Sequence, residues 1–293
     1  ELSGDALTAG VISDGAQRAS AVDIESYLLK LTTFSPVFTS GATFSAAENQ
    51  TSIGTVTATD ADIGDSVTFT VSGSELAITS GGVLSFASAP DYETKASYTA
   101  IVAASDGTNT TTQDITVNVT NVNDNSPVFT SSATFSAAEN QTSIGTVTAT
   151  DADSGDLITF TVSGSELAIT LGGVLSFKTA ADYETKPTYT ATVTVSDGTN
   201  TETQAITVNV SDANDNAPII ESSPVFSAAE NQTSIGTVTA TDGDSSSITF
   251  TVSGAELAIT SAGVLSFASA PDYETKASYT ATVTASDGTN TTT

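Results

Sequence analysis

Charged residues make up only 14% of this 293-residue chain, yet its acids fall at fixed addresses. Glu48, the pair Asp60 and Asp62, the pair Asp91 and Glu93, and Asp106 form a first set. The set returns as Glu139, Asp151 and Asp153, Asp182 and Glu184, and Asp197, then as Glu230, Asp242 and Asp244, Asp272 and Glu274, and Asp287. Between the sets lie two amide-rich links, Asn-Val-Asn-Asp-Asn at 121–125 and Asp-Ala-Asn-Asp-Asn at 212–216. Such clusters beside strand ends supply many hard oxygens, backbone carbonyls included. Calcium takes six to eight such oxygens, whereas magnesium insists on a tighter octahedron. The plainer reading is solubility and turn chemistry, since Asp and Asn favour turns in any case.

Composition removes most other chemistry. Lys+Arg number 6 against 34 Asp+Glu, a formal charge of −28, which makes nucleic acid and anionic membrane surfaces improbable partners. Cysteine, histidine, tryptophan and methionine are absent, so disulfides, zinc fingers, thiol nucleophiles and Ser/His/Asp triads are excluded. Paired carboxylates about 5 to 9.5 Å apart could serve a glycosidase. Here, however, the paired acids recur three times without clustered aromatics to stack a sugar, so no enzyme is expected. Gly81-Gly82-Val83 and its copies read as hairpin turns, because no Gly-Lys-Ser or Gly-Lys-Thr follows. The Asn49-Gln50-Thr51 triplet, repeated at Asn140 and Asn231, fits N-glycosylation and is read as incidental. No apolar run is long enough to span a membrane. The chain opens on Glu1 rather than methionine, which suggests a processed or excised piece whose secretion signal lies outside it.

The elements that position the acids follow from a repeat. The string Ala-Ala-Glu-Asn-Gln-Thr-Ser-Ile-Gly-Thr-Val-Thr-Ala-Thr-Asp starts at Ala46, Ala137 and Ala228, a period of 91 residues. That is too long for a solenoid unit and long enough for a small domain with its own core. The boundaries are expected at 1–34 for an N-terminal segment, 35–125, 126–216 and 217–293, with Pro36, Pro127 and Pro218 near the repeat starts. Within a repeat, apolar residues alternate with Thr and Ser: Val67, Phe69 and Val71; Tyr98, Ala100 and Val102; Ile115, Val117 and Val119. Period-two alternation broken by Ser-Gly, Gly-Gly and Asp-Gly turns predicts an antiparallel sandwich of about seven short strands. The aromatic-poor core predicts modest intrinsic stability.

At this point the chain resembles tandem cadherin repeats, here of a bacterial-type surface protein. The matching motifs are Glu-Asn after the first strand, Asp-x-Asp, Asp-x-Glu at Asp91–Glu93, Ser-Asp-Gly, and Asp-x-Asn-Asp-Asn-x-Pro at Asp212–Pro218. The resemblance implies all-β architecture, three tandem antiparallel Ig-like/cadherin-like β-sandwiches in a rod, with calcium between successive domains. Carried over, the first junction would use Glu48, Asp91, Glu93, Asn123, Asp124 and Asn125, closed by Asp151, Asp153 and Asp197. The second would use Glu139, Asp182, Glu184, Asp212, Asn214, Asp215 and Asn216, closed by Asp242, Asp244 and Asp287. Asn121 stands where the second link has Asp212, one carboxylate fewer. Ahead of the first repeat, Lys30–Phe34 replaces the amide-rich link, so Asp60, Asp62 and Asp106 are expected to form no full calcium cluster.

The two ends invite a further reading. Thr293 occupies the place of Thr203, which in the second repeat is followed by Gln-Ala-Ile-Thr-Val-Asn-Val, so the third repeat is expected to lack its last strand. Residues around Val22 to Leu31 could donate that strand to the next molecule in a head-to-tail homopolymer. Alternatively, Ile24, Tyr27, Leu28 and Leu31 lie at helical spacing, weakly like half of a dockerin-like repeat, or the sequence is an excerpt whose continuation supplies the strand. The function expected from all this is an extracellular, cell-surface, calcium-stiffened adhesive or structural stalk or filament, with a cell-surface protein or glycan as its target. A carbohydrate-binding array and a spacer of a secreted enzyme are the alternatives.

Overall fold

The computed structural model describes residues 33–244 and 247–293, and among them all regular structure is β. In the first repeat the strands are β1 (Val37–Phe38), β2 (Thr43–Ala47), β3 (Ser52–Thr55), β4 (Ala58–Thr59), β5 (Thr68–Val71), β6 (Leu76–Ile78), β7 (Val83–Phe86), β8 (Ser97–Ser105) and β9 (Thr110–Thr120). One sheet runs β2-β9-β8-β5 and the other β3-β7-β6, with β1 and β4 as a separate two-stranded ribbon. Nine strands appear where about seven were expected. The difference comes from that short ribbon, whose two-residue strands are too brief to leave an alternation signal.

The alternation does fix what is inside. Phe69, Leu76, Leu84, Phe86, Val102, Ile115, Val117 and Val119 are buried between the two sheets, and Val67, Val71, Tyr98 and Ala100 pack partly against them. Their Thr and Ser neighbours face out, so the strands are tandem β-sandwich strands with one wet face. Tyr98 packs edge-on to Phe86 with ring centroids 5.1 Å apart, and Lys95 lies 4.3 Å over its face while bonding Glu75. The second repeat reproduces these relationships in its own core around Phe160, Leu175, Val193 and Ile206.

One pairing departs from the antiparallel expectation. Strand β2 pairs with β9 in parallel, Thr43 opposite Thr116 through Ala47 opposite Thr120, and Thr134–Ala138 pairs with Thr201–Ser211 in the same way. The strand that opens the repeat and the strand that closes it thus point the same way. Whatever follows β2 emerges beside whatever follows β9, which brings Glu48 next to the link at 121–125.

Two compact units result, Glu1–Asp124 with Ala152–Gly155, and Asn125–Asp151 with Asp156–Thr293. The second holds the sheets of repeats two and three. In repeat three, the described final strand Thr291–Thr292 pairs with Ala285–Ser286, and the residues at 225–229 and 278–282 form no strand. Its buried apolar core is correspondingly Val238, Phe250, Leu265 and Ala285. The helix or donor strand expected at 20–31 lies outside the described residues.

Candidate metal centre

Glu48 follows β2 directly and is only 3% exposed. A buried carboxylate is costly unless hydrogen-bonded, and two backbone groups meet it. The N–H of Tyr92 donates to Oε2 at 2.6 Å and that of Val122 to Oε1 at 2.7 Å. Glu139, 5% exposed, accepts from Tyr183 at 2.8 Å and Ala213 at 2.6 Å in the same manner. Each glutamate ties its own repeat to the link that leaves it.

Around these anchors the acids converge. In the first unit, carboxylate oxygens of Glu48, Glu93, Asp124 and Asp153 lie within 4.8 Å of one another. The N–H of Asp124 also donates to Asp153 at 3.0 Å. Two such groups share Glu184 in the second unit, one with Glu139 and Asp215, the other with Asp212 and Asp244. Asn216 binds that cluster together, its amide donating to Asp244 at 2.6 Å and Glu184 at 3.2 Å.

The electrostatics show the strain of gathering like charges. Lost hydration, then the neighbouring charges of Glu48, Asp153 and Asp91, pushes the Glu93 carboxyl above its ordinary value. Glu184 is raised by lost hydration with Glu139 and Asp244, and Asp212 by lost hydration with Asp244, Glu139 and Asp215. Asp244 moves the other way, because Asn216 hydrogen-bonds its ionised form. Raised carboxyl values at a cluster mean that a positive charge there would be stabilising.

Asn121 adds a separate sign. With its amide nitrogen turned toward the acids, Asn121 donates to Glu93 at 2.7 Å and Asp153 at 3.2 Å. The donor set is all hard oxygen, with no nitrogen or sulfur ligand residue in the chain, which fits calcium.

The other expected residues make local bonds. Asp91 turns back on its own loop, accepting from the Thr94 N–H at 3.0 Å and hydroxyl at 2.9 Å, and Asp182 does the same with Thr185 at 2.9 and 2.8 Å. Asp197 and Asp287 brace the Asp-Gly turns, each accepting from two following N–H groups. Asn123 and Asp151 are half-buried. Asp242 caps the N–H of Asp244 at 3.0 Å. Asn125 and Asn214 present their backbone carbonyls to Asn200 and Asn290, at 2.7 and 3.4 Å.

Three features went unread in the sequence. Asn109, Asn200 and Asn290 follow each Asp-Gly turn by two residues and clip it to a preceding link; the recurring Asp-Gly-Thr-Asn string was the available signal. Asn49 and Asn140 bond link carboxylates. Finally, Asp65 joins Asp60, Asp62 and Asp106, the four converging within 4.8 Å at the place where no full calcium cluster was expected. The Phe34 N–H donates to Asp62 at 2.8 Å and the Asn109 amide to the Phe34 carbonyl at 2.8 Å, so this link engages the turn through its backbone. Asp60 Oδ2 is buried there without a hydrogen-bond partner.

Comparison with known proteins agrees with this layout. No family model matches the chain. Cadherin EGF LAG seven-pass G-type receptor 1 of Mus musculus is 34% identical over 217 residues, 66% of this chain and 7% of the receptor. Its Homo sapiens counterpart is 31% identical over 255 residues, 78% of this chain and 8% of the receptor. The chain therefore spans less than a tenth of these relatives. Among solved structures, mouse Cadherin-23 EC22-24 superimposes with a TM-score of 0.65 at 25% identity, covering 87% of this chain and 94% of that one. Protocadherin Gamma B2 extracellular cadherin domains 1-5 give 0.64 at 26% identity, covering 87% and 57%. These relatives come from animals, and the bacterial-type origin and dockerin-like segment find no support among them.

Proposed function

We propose that this chain, a run of extracellular cadherin-like repeats of cell-surface type, is an adhesive or structural segment that calcium stiffens. The observation that carries the reading is the gathering of Glu48, Glu93, Asp124 and Asp153, and of Glu139, Glu184, Asp212, Asp215 and Asp244, around links whose acids come from two successive repeats. Mutual repulsion opposes these gatherings when no cation is present. Glu48 and Glu139 anchor the link, the glutamates and link aspartates supply charge, and Asn121 or Asp212 adds a further oxygen. Calcium, when bound, supplies positive charge among these oxygens, and by mass action it stabilises the state in which they are gathered. Extracellular modules of this kind bind calcium at about 10⁻⁴ to 10⁻³ M, in keeping with an outside location.

The test is a calcium titration followed by melting temperature and hydrodynamic radius together. The expected result is a higher melting temperature and a larger, stiffer particle in millimolar calcium, reversed by chelator. Identical behaviour with and without calcium would remove the reading.

A further inference from the structure

Asn49 sits just past β2 with φ at 62°, and Asn140 and Asn231 occupy the same place in the later repeats at 60° and 65°. This left-handed backbone serves the turn: the N–H of Asn49 reaches the Pro90 carbonyl at 3.0 Å, that of Asn140 the Ala181 carbonyl at 2.9 Å, and that of Asn231 the Pro271 carbonyl at 3.0 Å. Glycine would do this at least as well, since it adopts positive φ without strain. Asparagine adds an amide arm. Asn49 Nδ2 donates to Asp124 Oδ2 at 2.5 Å, and Asn140 Nδ2 donates to Asp215 Oδ2. Both acceptors belong to the converging carboxylate groups.

Only one residue type meets both demands. Glycine takes the backbone and has no donor. Aspartate tolerates the backbone but would set a like charge against the link carboxylate, and other side chains pay for the left-handed conformation. We propose that Asn49 and Asn140 are positioning residues for cation binding, acting through Asp124 and Asp215: each fixes the rotation of a link carboxylate so that it already faces its group before a cation arrives. This rests on the calcium reading above, and it assigns to the two asparagines a role beyond the turn they make. Preorganisation of this kind acts on affinity, because the ordering is not left to the binding step.

A double-mutant cycle separates the roles, using the whole 293-residue protein. Asn49→Gly preserves the backbone and removes the arm. Calcium binding by calorimetry is expected to weaken about fivefold at the first group, and likewise for Asn140→Gly at the second, while Asn231→Gly leaves the affinities unchanged. In an Asp124→Ala background, Asn49→Gly is expected to cause no further loss, because its action runs through the removed carboxylate. A second arm reads metal-free protein. There Asn49→Gly should lower the melting temperature by about 2 °C in the parent and leave the Asp124→Ala variant unmoved. Equal losses in both backgrounds would reduce Asn49 to a turn former and overturn the proposal, as would unchanged affinity in Asn49→Gly. A parent that binds no calcium overturns the functional reading instead, and the coupling between Asn49 and Asp124 is then judged on the metal-free arm alone.

Discussion

Glu48 accepts the backbone N–H of Val122 at 2.7 Å, a bond across 74 positions of sequence that joins the start of a repeat to the link leaving it. With Tyr92 it holds two N–H groups on one nearly buried carboxylate.

Replacing it by alanine therefore strands both donors. Hydrogen bonds to charged groups contribute about 1.5–3 kcal/mol each, so Glu48→Ala should cost about 3 kcal/mol in denaturant unfolding even without metal. Glu230, exposed and, among the described residues, accepting from Tyr273 at 3.0 Å, should cost much less on the same change. Comparable losses at the two positions would contradict the anchoring role.

Metal-free stability should respond to pH in a defined sense. Glu93, Glu184 and Asp212 have raised carboxyl values when folded, so the folded state binds more protons. The destabilisation they cause is complete above those values and vanishes below the ordinary ones, 4.5 for Glu and 3.8 for Asp. Asp106, Asp182 and Asp244 are lowered by hydrogen bonds, chiefly from Asn109, Thr185 and Asn216 respectively, so their contribution is present above 3.8 and lost as pH falls through the lowered values. Melting temperature in metal-depleted buffer should rise as pH falls from neutrality toward 4.5 and fall again below 3.8. A steady decline from neutrality downward is the contrary result.

Asn121 and Asp212 occupy equivalent places and differ by one charge. Asn121→Asp should tighten calcium binding at the first group by about 1–2 kcal/mol, roughly 5- to 30-fold, and Asp212→Asn should weaken the second in the same measure. Calorimetry on the two single variants decides. In the metal-free state Asn121→Asp should be less stable than the parent, because a carboxylate replaces an amide able to donate to Glu93 and Asp153.

Gly82 tests the hairpin that carries part of the core. Its φ is +87° and an added Cβ would lie 2.2 Å from the Val56 carbonyl oxygen, whereas one on Gly64, at +99°, meets nothing within 4 Å. Gly82→Ala should cost about 3 kcal/mol or more, combining backbone strain with a backbone clash. Gly64→Ala should cost about 1 kcal/mol. Urea unfolding of both variants supplies the comparison.

Much of this was legible in the residues. Val102, Ile115 and Val117 announce their burial by alternation, and Glu48, Glu93, Asp124 and Asp153 stand out by recurrence. Alternation is blind to strand direction, so the parallel pairing of β2 with β9 emerges only from the fold. Asp91 and Asp182 were read as ligands by motif, and the fold adds that Thr94 and Thr185, three residues on, hydrogen-bond them locally. That Asp-x-x-Thr spacing was visible in the sequence. Asp65 recurs only once, as Asp156, and the turn at 60–65 is what brings it to Asp60, Asp62 and Asp106.

The parallel pairing has a consequence for how such a chain grows. An antiparallel first-and-last pair would return the exit to the entrance side, and each added module would need new wiring. With both strands aimed alike, duplicating one 91-residue stretch copies an anchor, a link and a receiving turn as a set. Length can then increase by whole modules, and every insertion brings its own coupling point along with it.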